Sequence, residues 1–265
     1  MKGLILYFSN TGNTLLACQR IKDKAKGISF DLFNMRDGYP DLTDYDIVGF
    51  ATYASGVKVA QYVFDYMAGL EAVQDKLAFV FTTYGKDNGS SCMVLARLVL
   101  RKGFKMIGEH ALHTPENYPP VIRLEHGYEH YPTKKQVKAF DDFIDDLSKK
   151  AMLGIHQEDY HVTSKWRYAI VRTIINGKLL RYVMGKKKVD HHACVKCGLC
   201  VRTCPYNAIL MDEYPVFNEK KCQGCFACYN KCPKKAIYTK RYHHFAHYPK
   251  PLPEVVAKLT VKNDE

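Results

Sequence analysis

Two copies of one cysteine pattern, spaced 28 residues apart, constrain this chain more than any other feature. Each copy reads Cys-x-x-Cys-x-x-Cys-x-x-x-Cys-Pro, and together they use eight of the ten cysteines. The first copy consists of Cys194, Cys197, Cys200 and Cys204, and the second of Cys222, Cys225, Cys228 and Cys232. Three thiolates on one short loop can hold three corners of an iron–sulfur cube, and a fourth ligand must come from elsewhere.

This spacing favours two [4Fe–4S] clusters over zinc or disulfides. In runs of this type the fourth cysteine ligates the other cluster. The expected ligand sets are Cys194, Cys197, Cys200 with Cys232, and Cys222, Cys225, Cys228 with Cys204. Structural zinc sites usually place a long gap between two Cys-x-x-Cys pairs, which fits this spacing poorly. Disulfides need an oxidising compartment, and the short apolar run of residues 3–8 lacks a small-residue cleavage site, so we expect no signal peptide.

An internal repeat extends beyond the cysteines. The residues that recur in register are Pro205 and Pro233, Ala208 and Ala236, and Ile209 and Ile237. From Cys194 to Ile237 the chain resembles the bacterial two-cluster ferredoxins. That resemblance implies a small α+β ferredoxin-like domain that transfers electrons.

Length and charge point to a second, larger domain and to a basic C-terminal half. A chain of 265 residues is long enough for two domains, and no stretch approaches the ~18 apolar residues of a membrane span. Residues 1–150 carry 19 basic and 18 acidic side chains, whereas residues 151–265 carry 20 and 9. Because each oxidised cluster with four thiolates carries about −2, we expect these lysines to surround the clusters and face an acidic redox partner. We expect neither nucleic acid nor a membrane span.

The N-terminal half alternates strand and helix patterns. Strands are predicted at residues 3–8, 29–33, 47–52, 77–83 and 104–112. Helices are predicted at residues 14–26, 59–69, 90–102 and 133–150. Strands separated by helices of this length imply an α/β fold with a doubly wound, five-stranded parallel sheet. Ligands of such sheets bind at the carboxyl ends of the strands.

The loop after the first predicted strand has the composition of a phosphate site. It consists of Ser9, Asn10, Thr11, Gly12, Asn13 and Thr14. Hydroxyl groups, backbone N–H groups and a helix N-terminus together favour an anion. A nucleotide-triphosphate loop of the G-x-x-x-x-G-K-S/T type is excluded because the loop has no lysine. An ordinary helix N-cap is the alternative for any single residue of the loop.

The same six residues resemble the phosphate loop of flavodoxins, which bind FMN. Two later strand ends match the places where flavodoxins contact the flavin ring, and in this sequence they are Thr52, Tyr53, Ala54, Ser55 and Gly56, and Thr83, Tyr84 and Gly85. The resemblance implies that Tyr53 and Tyr84 flank the ring, with a buried structural tyrosine as the alternative for each. Lys86 follows the second strand end, and this half is nearly neutral whereas flavodoxins are usually acidic.

The chain as a whole resembles the flavodoxin–ferredoxin fusion proteins of anaerobic bacteria. The expected division is a flavodoxin-like domain at 1–150, a linker with an amphipathic helix at 151–184, a two-cluster domain at 185–245 and a C-terminal tail at 246–265. The basic run beginning at Ser164 and containing Trp166 is expected to pack on a neighbouring domain more readily than on a membrane surface.

Three functions follow from this interpretation. The first is a cytoplasmic electron carrier with one FMN and two [4Fe–4S] clusters, which exchanges electrons with partner proteins. The second is a flavin-dependent reductase of a small molecule, fed by the clusters. The third is a ferredoxin whose α/β domain binds no flavin and serves only in docking. No acid or base pattern marks a catalytic residue in the sequence.

Overall fold

The computed structural model describes residues 1–125, 128–156, 160, 168 and 174–261. Residues from Met1 to Leu153 form an α/β unit, and residues from Gly177 to Thr239 form a small cysteine-rich unit. Within the described residues, no helix has the length and apolar character needed to cross a membrane.

A parallel sheet organises the α/β unit. Its strands are β1 (Lys2–Tyr7), β2 (Ser29–Asn34), β3 (Ile47–Ser55), β5 (Leu77–Tyr84) and β6 (Lys105–His113). They are all parallel and follow the order β2-β1-β3-β5-β6, while the two-residue strand β4 (Lys58–Val59) pairs antiparallel with the end of β3. Counting the parallel strands alone, this is the 2-1-3-4-5 order of the flavodoxin-like doubly wound fold. The predicted fold class is therefore confirmed.

Helices cover both faces of the sheet. They are α1 (Asn13–Lys24), α2 (Gln61–Gly69), α3 (Ser91–Leu100), α4 (Pro119–Glu125) and α5 (Lys134–Leu153), with a 3₁₀ turn at Met35–Asp37. Alternate strand residues enter two separate cores: Leu4 and Leu6 pack with α2 and α3, whereas Ile5 packs with α1 and α5. Because both faces are buried, the strands are continuously apolar rather than alternating.

The cysteine-rich unit contains two small antiparallel ribbons. Strand β7 (Lys187–Val189) pairs with β10 (Ile237–Thr239), and β8 (Ile209–Met211) pairs with β9 (Pro215–Phe217). Its helices are α6 (Gly177–Met184), α7 (Leu199–Thr203) and α8 (Ala227–Lys231). Buried side chains form two small clusters in this part of the chain. One consists of cysteines with Ala208, Ile209 and Ile237, and the other consists of Met184, Phe226, Tyr229 and Tyr242.

The C-terminal segment differs from the separate tail expected at 246–265. Helix α9 (Pro253–Leu259) packs against α1 and α5, and Val255 and Leu259 are fully buried in the core of the α/β unit. The Leu259 carbonyl accepts a hydrogen bond of 3.1 Å from the Arg20 guanidinium. A helix of seven residues is too short to show a clear apolar face in the sequence. The chain thus passes through the cysteine-rich unit and returns to the first unit.

The connecting segment is described only in part. Helix α5 ends at Leu153, and α6 begins after Asn176, whose side chain accepts hydrogen bonds from the N–H groups of Lys178 and Leu179. Asn176 is therefore the N-cap of this helix. Trp166 and most of the predicted amphipathic run lie outside the described residues.

Polar contacts join the two units. The Asn230 side chain in α8 donates to the Asn117 carbonyl at 2.8 Å and accepts from the Tyr248 N–H at 3.2 Å. The Tyr248 hydroxyl then donates to the Asn13 side chain at 3.0 Å, in the first turn of α1. Since Asn13, Asn230 and Tyr248 are all buried, this chain of hydrogen bonds fixes the cysteine-rich unit against the carboxyl edge of the sheet.

Candidate functional site

A polar pocket and a larger cavity adjoin one another at the carboxyl edge of the sheet. Loops that follow β1, β3, β5 and β6 form their walls. Six residues line both spaces: Asn10, Tyr53, Ala54, Gly85, Glu116 and Asn117. The larger cavity has a volume of about 350 Å³, within the range of small-molecule sites. The two spaces together can hold an elongated ligand with a polar end.

The polar pocket contains the predicted phosphate loop. Five of the six predicted residues line it, while Gly12 supports the turn with a φ of 107°. A Cβ atom on Gly12 would lie 2.8 Å from Pro251 Cδ, so both conformation and space require glycine. The 12-residue helix α1 begins at Asn13, and its N-terminus and dipole favour an anion at the pocket.

Hydroxyl groups from the loop after β1, from α1 and from β5 meet in this pocket. Thr14 Oγ1 and Thr83 Oγ1 are 2.8 Å apart, and Thr11 Oγ1 accepts a hydrogen bond of 2.7 Å from the Asn117 amide. All three threonines are buried. Hydroxyl and amide groups clustered in this way can donate to a bound phosphate.

The residues predicted to contact a flavin ring are not all placed alike. Tyr53 lines the larger cavity, stacks on Phe8 with 5.5 Å between ring centroids, and accepts a hydrogen bond of 2.7 Å from Asn10. The ring of Tyr84 instead stacks on His113 at 4.7 Å, and Tyr84 lines only the polar pocket. Thr52 is fully buried and lines neither space, whereas Ser55 and Gly56 line the larger cavity.

The loop after β6 was missed by sequence reasoning. Glu116 in this loop lines both spaces, and its carboxylate accepts hydrogen bonds from the N–H groups of Lys86, Asn117 and Tyr118 at 2.9–3.2 Å. Burial raises the pKa of Glu116 although these bonds lower it. The signal available in the sequence was topological, because β6, the last of the five parallel strands, must also end at this edge.

The cysteine-rich unit contains two separate cavities, each lined by four cysteines. One, the outer set, comprises Cys194, Cys197, Cys200 and Cys232. The other, the inner set, comprises Cys204, Cys222, Cys225 and Cys228. Each cavity is almost entirely apolar apart from the sulfur atoms and nearby lysines. The structure thus groups the cysteines as in the two crossed sets predicted from the sequence.

Sulfur atoms of both sets accept backbone hydrogen bonds. Within the described residues, no three His, Cys, Asp or Glu side chains gather closely enough to hold a single metal ion. Backbone N–H groups point to sulfur atoms of both sets: Ala208 to Cys204 and Gly224 to Cys222 at 3.4 Å, and Ala236 to Cys232 at 3.3 Å. Hydrogen bonds to sulfur are one of the features by which proteins set the potential of iron–sulfur clusters.

The inner set adjoins the larger cavity at the sheet edge. Cys225 belongs to the inner set and also lines that cavity, next to Gly224. Tyr118, from the loop after β6, packs edge-on against Phe226 with ring centroids 5.2 Å apart. Ile175, just before the cysteine-rich unit, and Leu180 in α6 close another part of the wall. The larger cavity therefore lies between the strand-end loops and a cysteine of the inner set.

Comparisons with known proteins found one matching family model and a set of similar solved structures. Residues 193–236 match the family model described as a 4Fe-4S dicluster domain. Among solved structures, a flavodoxin from the domain Archaea and one from Streptococcus pneumoniae TIGR4 each share 16% identity, covering 57% of this chain and 99% of theirs, with TM-scores of 0.43. Rubredoxin oxygen:oxidoreductase from Desulfovibrio gigas also shares 16% identity, covering 57% of this chain and 36% of its own, with a TM-score of 0.46. No curated protein matches the sequence.

The class of protein follows from the strand order and the family match. The chain joins a flavodoxin-like α/β domain to a [4Fe–4S] cluster-binding domain. This combination serves electron transfer in general.

Proposed function

We propose that this chain is an electron-transfer protein that binds one FMN at the sheet edge and one [4Fe–4S] cluster in each cysteine-lined cavity. The observation that carries the proposal is the position of Cys225, which belongs to the inner set and to the wall of the larger cavity. When bound, FMN exchanges one or two electrons and each cluster exchanges one, so the combination interconverts paired and single electrons.

The residues at the sheet edge fit FMN. Its phosphate would bind the loop from Ser9 to Thr14, and its ring would lie in the larger cavity beside Tyr53 and the segment Ala54–Gly56. Tyr118 lines the same cavity, and its buried hydroxyl has no hydrogen-bond partner among the described residues. A buried hydroxyl without a partner is costly, and a polar flavin atom would satisfy it.

The cysteine sets fit two clusters rather than one. Each apolar cavity is lined by four thiols, which is the full ligand number of a [4Fe–4S] cluster. The two sets share no residue, so each cluster would be held independently. Because ligating cysteines must stay reduced, we propose an oxygen-poor cytoplasmic setting, as in the fusion proteins of anaerobic bacteria.

The outer set supports a role in docking. Cys197 is exposed. The apolar side chains of Val195, Leu210 and Val216, which lie in the same stretch of sequence, are exposed as well. Lys196 and Lys234 line the outer cavity and are exposed. An acidic redox partner would complement this surface, and its electrostatic attraction would speed association at low ionic strength.

In this proposal the domains follow the sequence-based division with one change. Residues 1–150 hold FMN, residues 151–184 connect, and residues 185–245 hold the clusters. Residues 246–265 belong in space to the first domain as far as they are described, because α9 is buried against α1 and α5.

A second candidate function is a flavin-dependent reductase of a small molecule. The carboxyl group of Glu116 favours it, since a carboxyl with a raised pKa beside the cavity can supply a proton. Steady turnover of a quinone or similar acceptor, lost in Glu116→Gln at unchanged flavin content, would support this function. Equal turnover in both proteins would exclude Glu116 as the proton donor, and no turnover in either would leave the carrier role.

The decisive experiment is the cofactor content of protein purified without air. We expect about eight iron and eight acid-labile sulfide atoms per chain, together with one FMN. Cys18→Ser serves as a matched control, because Cys18 is buried in the α/β core outside both sets. Zinc in place of iron, or iron without flavin even after FMN is added, would contradict the proposal, and the second result would indicate a flavin-free docking domain.

A further inference from the structure

The internal repeat makes the two cysteine-lined cavities directly comparable. Adding 28 to a residue number of the first half gives its counterpart in the second half, as Cys204 and Cys232 illustrate. Ala208 and Ile209 line the inner cavity, and their counterparts Ala236 and Ile237 line the outer cavity. The two cavities are therefore built from corresponding backbone positions, and their differences reflect side chains.

One difference places a buried charge beside the inner set only. Lys187 lines the inner cavity, whereas its counterpart Pro215 lines the outer cavity. The Lys187 side chain is 2% exposed, and its Nζ lies 2.9 Å from Glu219 Oε2. Lys187 lines the inner cavity together with Cys222 and Cys228. The ammonium group is therefore near both a carboxylate and the cysteines of the inner set.

The cations near the outer cavity differ in exposure. Lys196 and Lys234 line that cavity but are exposed, and Lys196 pairs with Glu213 at 3.1 Å. Lys234 is the counterpart of Tyr206, so the outer cavity has a lysine at the position where the inner cavity has a tyrosine. Water and salt screen exposed charges strongly and buried charges much less. Lys187 should therefore act on its cluster more strongly than Lys196 or Lys234 acts on the outer one.

Burial alone would make the inner cluster hard to reduce. Cys204, Cys222 and Cys228 are buried, whereas the outer set includes the exposed Cys197 and only one buried cysteine. Reduction takes one electron from an external donor and adds one negative charge to a cluster that is already anionic. Low dielectric disfavours that extra charge, and a nearby buried cation offsets this effect.

We propose that Lys187 raises the reduction potential of the inner cluster and so keeps this buried cluster reducible beside the larger cavity. The proposal depends on the proposed function, because it requires a [4Fe–4S] cluster in each cysteine set. Glu219 opposes the effect in part, but its side chain is 31% exposed and does not line the inner cavity.

A redox titration of the whole protein, followed by electron paramagnetic resonance, tests this role. Lys187→Met keeps much of the side-chain volume and removes the charge. We expect the reduction potential of the inner cluster to fall and that of the outer cluster to stay the same. The equilibrium constant for one electron distributed between the two clusters should then change on the order of tenfold, which corresponds to 59 mV. A double variant, Cys194→Ser with Cys197→Ser, lacks the outer cluster and assigns the inner potential.

Two further variants keep the test decisive if Lys187→Met loses its inner cluster. Glu219→Gln retains the cation and removes its neutralising partner, so the inner potential should rise. Lys187→Arg should restore a potential close to that of the unaltered protein. Lys196→Met is the exposed control and should shift either potential far less than Lys187→Met does.

The outcomes separate this inference from the proposed function. Two intact clusters whose potentials are unchanged in Lys187→Met and in Glu219→Gln would overturn the role of Lys187 and leave the proposed function standing. Unaltered protein with only about four iron atoms per chain would overturn the two-cluster proposal itself.

Discussion

The two halves of the candidate site are built in opposite ways. The cysteine sets come from one segment of 39 residues, Cys194 to Cys232, in which a repeated local pattern supplies all eight cysteines. The sheet-edge cavity instead collects short loops after β1, β3, β5 and β6, which span more than a hundred residues of sequence. A site built locally can be recognised from spacing, whereas a site built by a sheet depends on which strands become neighbours.

The largest expected effect distinguishes the two cysteine sets. Cys225→Ser and Cys197→Ser should each remove one cluster and leave about four iron atoms, because the sets share no ligand. Only Cys225→Ser should also stop electron exchange between the remaining cluster and FMN, since the inner set adjoins the cavity. Iron content and stopped-flow absorbance measure both effects. Complete loss of iron from either folded variant would show that the sets depend on one another.

The next effect tests the dependence of the α/β domain on the returning C-terminal segment. Leu259→Ala should lower the free energy of unfolding of this domain by about 2–5 kcal/mol, because it leaves a cavity between α9 and its neighbours. Val256, in the same helix, is 39% exposed, so Val256→Ala should cost about 0.5 kcal/mol or less. Chemical denaturation followed by far-ultraviolet circular dichroism provides the measurement. Equal effects would mean that α9 does not support the core.

A smaller effect concerns the phosphate loop. Thr14→Val removes a hydroxyl that lies 2.8 Å from Thr83 Oγ1 in the polar pocket. We expect FMN affinity to fall about tenfold or more, as for a hydrogen bond to a charged group, while iron content stays the same. Thr52→Val is the control, because Thr52 lines neither space and its buried hydroxyl has no partner among the described residues. Similar affinity losses in both variants would argue against a phosphate in this loop.

The smallest effect is a pH dependence of stability in the α/β domain. His113 is stacked between Tyr84 and Tyr131, and burial lowers its pKa to about 4. The unfolded chain, with a histidine pKa near 6.5, binds the proton more readily, so the free energy of unfolding should decrease as pH falls from about 6.5 to about 4. Above that range the contribution is fully retained. In His113→Phe this part of the pH dependence should be absent, whereas an unchanged curve would exclude His113 as its source.

Much of the α/β fold was predictable because its signals are local and strong. The predicted strands at 47–52 and 77–83 lie within the observed β3 and β5, and the predicted helix at 133–150 corresponds to α5 with its Thr133 capping box. Continuous apolar strands between helices indicated a parallel sheet buried on both faces. The loop after β6 escaped prediction because Glu116 acts through hydrogen bonds to residues near and far in sequence, and no local pattern marks such contacts.

The identities and spacing of the cysteines by themselves determined which sulfur atoms form the two sets, because each set is nearly complete within a short repeat. The tertiary structure decided that the inner set rather than the outer one adjoins the sheet edge, that α9 returns to the first domain, and that the Tyr84 ring turns away from the larger cavity. These features depend on long-range packing, in which the free energy of a contact is gained only after distant segments have met.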